Sequence, residues 1–209
     1  FKNRFKFYHL KFSQLDKAFK DNADAIIIDL GLSSIQLKDF KRGFSFKSKE
    51  KLDMTMGLSD KSAQYAINNL SEKQLTLIIK VLGEEKDAKK ISRNIVKARL
   101  QKKITRVDEL VEIINKSKKK NYYSKINPST KTFQALRIYV NKEITELING
   151  IINASKYLRP GGKIIIVSFH SIEDKIVKYF FSNFSKNKSK PSRYLPEEEN
   201  DNSILFENY

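Results

Sequence analysis

The sequence predicts an α/β protein carrying an all-helical insertion, and three features predict it. Two short apolar runs, Ala25–Ile28 and Ile164–Val167, lie toward opposite ends of the 209-residue chain, each bounded by polar residues. Runs of this kind mark strands buried on both faces of a parallel sheet. Helical patterns flank both runs, and between them, from Ser59 to about Lys120, the apolar spacing is helical throughout. The chain therefore divides into 1–57, the first part of a sheet domain; 58–127, a helical insertion; 128–184, the second part of the sheet domain; and 185–209, a polar, loosely ordered tail.

In chain order, Lys6–Leu10 reads as a short strand, and Ser13 caps a helix carrying Leu15 and Phe19. Asp21–Asp24 is a loop, the strand Ala25–Ile28 ends at Asp29, and Leu30–Ser34 is a polar loop. Ser59 starts a helix with Tyr65, Ile67 and Leu70, and Ser71 with Gln74 forms a capping box for the next, which Gly83 ends. Ala88, Ile91, Ile95 and Ala98 mark a third helix. Thr105 with Asp108 caps a fourth, carrying Leu110, Val111 and Ile114. Lys116–Lys125, basic with Tyr122 and Tyr123 inside it, is an exposed loop. Phe133, Leu136, Val140, Ile144, Leu147, Ile151 and Leu158 mark one long amphipathic helix, which Arg159–Gly162 ends and turns. Lys163–Val167 is the second strand, and Ser171 with Asp174 caps a helix holding Ile172, Ile176, Phe180 and Phe184.

Composition narrows the function. Apolar residues make up 40% of the chain, enough for a core, and there is no cysteine, which excludes disulfides and thiolate metal sites. No apolar run approaches the roughly 18 residues of a membrane span, and the N-terminus lacks the apolar core of a secretory signal. Lys and Arg number 41 against 24 acids, a net charge of +17, which favours a polyanionic partner. The bland account of the same charge is compositional drift, since Lys, Asn and Ile are all abundant. A membrane surface is disfavoured because no helix joins a clean basic face to an apolar one.

In open α/β sheets, ligands bind outside the carboxyl ends of the strands. One such end carries Asp29 to Gln36, the other Ser168 to Ser171. A carboxylate directly after buried apolar residues is costly unless paired or used, which singles out Asp29. His170 reads either as a hydrogen-bonded structural residue or as an active-site group, and Ser171 as a helix cap. The two histidines, His9 and His170, stand far apart and no helix carries a ligand pair, so no metal site is expected. Lys116–Lys120 with the two tyrosines either grips RNA by charge and stacking or is a solvated loop. There is no Gly-rich phosphate loop. The residues alone reach a basic α/β protein with polar groups at two strand ends.

A resemblance goes further. It is carried by Asp29–Leu37 (DLGLSSIQL), Arg42–Phe46 (RGFSF), Leu52–Met56 (LDMTM), Thr132–Ile138 (TFQALRI) with Asn141-Lys142-Glu143, and Pro160-Gly161-Gly162 followed by Ser168–Lys178 (SFHSIEDKIVK). In order and rough spacing these resemble the bacterial 16S ribosomal RNA cytosine-N4-methyltransferases and their mitochondrial relatives, from about Phe5 to Phe180. The sequence departs from that pattern at Ile35, usually Pro, at Thr55, usually Arg, and at Gly57, usually acidic. The family also opens with a Gly-rich S-adenosylmethionine loop and an acidic ribose-binding residue on the next strand, neither of which is in these 209 residues. The expectation is that Phe1 begins after them, that a basic C-terminal tail is missing as well, and that this chain alone binds cofactor weakly or not at all.

The resemblance implies a partial Rossmann-like class I methyltransferase sheet, S-adenosyl-L-methionine as methyl donor, and the N4 amine of a cytidine in the decoding region of small-subunit ribosomal RNA as acceptor. The partner is that RNA or the assembled small subunit, with the helical insertion helping to hold it. No membrane partner is implied, the location is the bacterial cytoplasm or an organelle matrix, and the oligomeric state stays open. Phe12, Asp29 and Gln36 match cofactor contacts. Asp29 is the foremost candidate to accept the N4–H, with the loop Gly31–Ser34, and Ser33 within it, supplying further contacts; Asp53, Ser168 and His170 follow. Two other readings compete: an amino-methyltransferase for another nucleic acid, disfavoured by the lack of prolines in Asp29–Leu32, and a non-catalytic RNA-binding protein.

Overall fold

The computed structural model describes residues 4–19, 22–57, 59, 61–118 and 126–184. A 3-10 turn at Phe12–Lys17 leads into strand β1 (Ala23–Asp29), helix α1 (Ser34–Lys38) and a second 3-10 turn at Phe40–Arg42. Helices α2 (Ala63–Asn69), α3 (Glu72–Leu82), α4 (Ala88–Gln101), α5 (Val107–Ser117), α6 (Thr130–Asn141) and α7 (Glu143–Tyr157) follow. Strand β2 (Leu158–Val167) and helix α8 (Ser171–Asn183) complete it. The expected α/β class holds. The exposed loop expected at Lys116–Lys125 starts later than expected, since Lys116 and Ser117 close α5 with Ser117 buried; from Lys119 on, with Tyr122 and Tyr123, it lies outside the described residues, as does the tail 185–209. The chain forms two compact units: 1–31 with 144–209, and 32–143.

The first unit is built on β1 and β2, which pair in parallel with Ile26 opposite Ile164 and Asp29 opposite Val167. Ile26, Ile28 and Leu30 pack on Leu147, Ile151 and Ala154 of α7, with Leu15, Ile164, Ile166, Ile176 and Phe180 closing the cluster. The strands were expected to be buried on both faces. They are buried on one: Ile27 is 69% exposed and Ile165 50%. Among the described residues only the α7 and α8 side is covered, so alternate side chains of each strand stay in solvent. Between the pairs Ala23–Leu158 and Ala25–Lys163 the register shifts, and Arg159–Gly162 bulges out with Gly161 at φ +77°.

The second unit is helical, with a core of Ile67, Leu75, Ile79, Ile91, Ile95, Leu110, Ile114 and Leu136. The expected capping box of α3 is present: Gln74 N–H donates to Ser71 Oγ (3.2 Å) and Ser71 N–H to Gln74 Oε1 (2.9 Å). Gly83 ends α3 where a Cβ would lie 2.5 Å from the Lys131 carbonyl oxygen, so α6 passes where only glycine fits. Segment 32–57, assigned from the sequence to the sheet domain, contributes Phe44, Leu52 and Met54 to this helical core. Its backbone is tied there too: Leu52 N–H donates to Thr105 O, and Val107 N–H to Glu50 O.

Five local expectations are corrected. Lys6–Leu10 forms no strand, and Phe7 is 77% exposed. The Ser13 helix is a 3-10 turn capped from Lys11, and the Ser59 helix begins at Ala63, capped by Ser62. Helix α5 is capped by Glu109 rather than by Thr105 with Asp108; the Glu109 carboxylate accepts from the N–H groups of Thr105 and Arg106. The single long helix from Phe133 breaks at Lys142, which is left-handed (φ +54°). There the Asn141 side chain turns away to bond the backbone at Met54 and Met56.

Hydrogen bonds from the Thr105 backbone and Lys102 hold the Glu109 carboxyl below its ordinary range. Because the folded value is the depressed one, this stabilisation is complete above the ordinary carboxylate range and is lost as pH falls through the lowered value. Unfolding followed by circular dichroism from neutral to acid pH is expected to show it, and Glu109→Gln to flatten that part of the profile.

Candidate functional site

In the first unit, parallel pairing sets the two strand ends side by side. Leu30 N–H donates to Val167 O (3.1 Å), carrying the ladder one residue past Asp29. Gly31 then turns with φ +85°, and a Cβ there would sit 3.5 Å from the Phe169 ring. The Asp29 side chain points to the same sheet face as Ile27, away from α7, and is exposed. The argument that a buried carboxylate must be paired therefore does not apply. Asp29 instead has no side-chain partner among the described residues, so both carboxylate oxygens are free to accept.

His170, not Ser171, caps α8. Glu173 N–H approaches His170 Nδ1 at 3.4 Å, and Asp174 N–H donates to the His170 carbonyl (3.1 Å). A ring that accepts at Nδ1 carries its proton on Nε2 when neutral. Nε2 lies 3.2 Å from Glu173 Oε1 but out of line for a hydrogen bond. Glu173 is itself buried, and its other oxygen accepts from Phe169 N–H (3.0 Å). The histidine ring is thus engaged in the start of α8, and Ser168 stands half-buried at the strand end before it.

Phe12 is held by one stripe of α7. Ser13 N–H donates to Glu146 Oε2 (3.1 Å), Asn153 Nδ2 donates to the Ser13 carbonyl (3.0 Å), and between them a Cβ on Gly150 would meet Phe12 Cβ at 2.9 Å. Residues 146, 150 and 153 share a helix face. The backbone beside Phe12 is fixed while the residue stays 39% exposed.

The second unit holds the other predicted residues. Ser33 caps α1 and forms a reciprocal box with Gln36: Gln36 N–H donates to Ser33 Oγ (3.2 Å), Ser33 N–H to Gln36 Oε1 (3.0 Å). Gln36 keeps its amide donors for other work. Asp53 is half-buried and accepts from Thr55 Oγ1 (3.1 Å). Between those two, Met54 is fully buried with φ +60°, a strained backbone for a residue with a side chain. Asn141 holds it: Nδ2 donates to Met54 O and Arg137 O, and Oδ1 accepts from Met56 N–H and Ser59 Oγ. Arg42 Nη2 donates to Thr55 O (2.9 Å), and Arg137 grips Glu143 through two bonds at 2.8 and 2.9 Å.

Asp29 and His170 thus lie at neighbouring strand ends of one unit, while Ser33, Gln36 and Asp53 belong to the other. Sequence reasoning gave Asn141, Glu146, Gly150 and Asn153 no role. Gly150 carried a signal, since a glycine inside a helix costs about 1 kcal/mol against alanine and implies a packing reason. A groove of about 520 Å³ between Phe46–Lys49 and α5 is lined by none of the predicted residues.

Asn141→Ala is expected to lower the stability of the helical unit by roughly 2 kcal/mol or more, because it orphans the buried Met54 carbonyl and the Met56 N–H; urea unfolding checks this. Gly150→Ala is expected to speed amide exchange at Ser13 while Ile26–Ile28 keep their protection.

A model of the MraW methylase family matches residues 1–207. A protein of Bartonella grahamii (strain as4aup) named "Ribosomal RNA small subunit methyltransferase H" is 43% identical over 194 residues, 93% of this chain and 58% of its own. Proteins of the same name from Xanthobacter autotrophicus (strain ATCC BAA-1158 / Py2) and Ehrlichia canis (strain Jake) are 43% and 44% identical. The alignments cover 90% and 87% of this chain, and 55% and 63% of theirs. The chain spans about three fifths of the length of the curated relatives it matches.

Proposed function

The chain belongs to the MraW methylase family, and from that membership we propose that its protein transfers a methyl group from S-adenosyl-L-methionine to the N4 amine of a cytidine in the decoding region of small-subunit ribosomal RNA. The relatives' shared name supports a small-subunit ribosomal RNA substrate. The observation that carries the reading is the exposed Asp29 carboxylate, without a side-chain partner among the described residues, at the carboxyl end of a parallel strand pair, where α/β proteins bind ligands.

The chain's own residues fit such a cofactor in part. Phe12 offers a half-exposed ring on a fixed backbone, suited to lie along an adenine, and Gln36 has amide donors to spare. When bound, the cofactor supplies a methyl already activated on a sulfonium. Cytosine N4 is a poor nucleophile because its lone pair is delocalised into the ring. Asp29 accepts an N4–H, which localises that pair, and takes the proton as the new bond forms. Gly31–Ser34 orients the base by backbone and hydroxyl contacts, aligning amine and methyl for in-line transfer. The acceptor base must leave its stack to reach such a site. His170 acts behind Asp29, since Glu173 already engages it, and Asp53, already engaged by Thr55, plays a supporting part. The helical unit contributes a hold on the RNA or the assembled subunit.

The test is to incubate the protein of the whole reading frame with labelled S-adenosylmethionine and unmethylated small subunits, then identify the labelled nucleoside by mass spectrometry. N4-methylcytidine is expected. Label in another nucleoside contradicts the acceptor, and no transfer by folded protein favours a non-catalytic RNA-binding role.

A further inference from the structure

Residues 88–103, helix α4 and the two lysines after it, hold seven basic residues and no acidic one. Ala88, Ile91 and Ile95 are buried in the core of the helical unit, so the exposed stripe of α4 is left to Lys89, Lys90, Arg93 and Lys97. Lys89, Lys90 and Lys97 have no carboxylate or hydrogen-bond partner among the described residues. Among the described residues Arg93 reaches only Glu72, at 3.9 Å with both side chains exposed, which is worth little in water. Neighbouring α5 is the opposite case. Its acids Asp108, Glu109 and Glu112 are matched to Arg106, Lys102 and Lys116.

This segregation is physical information. Lys89 with Arg93, Lys90 with Arg93, and Arg93 with Lys97 are like charges three or four residues apart, and each such pair weakens the helix. At the chain's average of 24 acids in 209 residues, a segment of this length would hold about two. We infer that the exposed stripe Lys90–Arg93–Lys97 of α4 docks the phosphate backbone of double-helical RNA. The inference rests on the RNA-substrate reading above and names the surface that grips.

Three features select this partner. The cations follow one another at about one helical turn, ~5 Å, against a polyanion whose charges are spaced more closely than that. No aromatic residue lies on the stripe, so it lacks the stacking platform of a single-strand binder, whereas duplex RNA is held through backbone and shape. The apolar residues of α4 point into the core, which leaves Leu100, 81% exposed, as the one apolar side chain on the stripe and too little to enter a bilayer.

The test measures binding of a fluorescent RNA hairpin by anisotropy from about 50 to 200 mM salt. It compares the chain with Lys90→Gln/Arg93→Gln/Lys97→Gln and with a control that loses the same charge elsewhere in the unit, Lys41→Gln/Lys49→Gln/Lys51→Gln. The expected result is at least tenfold weaker binding by the first variant, with the slope of log affinity against log salt smaller by about three. The control stays near wild type, and thermal melting shows the α4 variant no less stable. Equal weakening in both variants, none in either, or preference for single strands or anionic vesicles overturns the inference while leaving an RNA substrate possible. If the wild-type chain binds no RNA, the substrate reading falls with it.

Discussion

Parallel pairing of Ala25–Asp29 with Lys163–Val167 is the constraint on which the rest of the structure depends. Parallel strands cannot be joined by a tight turn and need a crossover that returns the chain to the starting edge. Here that crossover contains the whole helical unit and then α7, whose Leu147, Ile151 and Ala154 cover one sheet face. The same pairing aligns the two carboxyl ends, so that Asp29 stands opposite Val167 just before Phe169 and His170. Loss of this register would take away the covered face and the site together.

Much of this was legible in the sequence because the signals are local. Ala25–Ile28 and Lys163–Val167 read as strands by their apolar runs, and Ser71 with Gln74 as a helix start by spacing alone. What was not legible depends on distant partners. Whether Ile27 and Ile165 are buried is decided by which elements cover that face. The break at Lys142 interrupts an apolar pattern that runs on smoothly, because Asn141 satisfies a backbone 87 residues away in sequence. The cap of α8 moved from Ser171 to His170 because a buried Glu173 organises that turn. Asp29 reads from the sequence as a buried charge; it matters instead as an exposed one with no side-chain partner among the described residues.

Three of the family's sequence segments converge in the helical unit: Arg42–Phe44, Leu52–Met56 and Asn141–Glu143. Arg42 holds the Thr55 carbonyl and Asn141 spans Met54 and Met56, so a strained backbone is fixed on both sides. Such strain survives only where the surroundings over-determine it. The outcome is an Asp53–Thr55 pair presented from a rigid turn. The sheet unit is organised alike, with Glu146, Gly150 and Asn153 fixing the turn that carries Phe12. In both units, side chains with no direct chemistry hold in place those proposed to have it.

The central claim is that chemistry occurs at the Asp29 strand end. The most direct measurement is the single-turnover rate of methyl transfer to unmethylated small subunits, at saturating cofactor, by the protein of the whole reading frame with and without Asp29→Asn. If Asp29 accepts the amine hydrogen, the rate falls by about a hundredfold or more while the unfolding midpoint is unchanged. A wild-type rate from folded Asp29→Asn protein would contradict the claim and move the proton acceptor elsewhere.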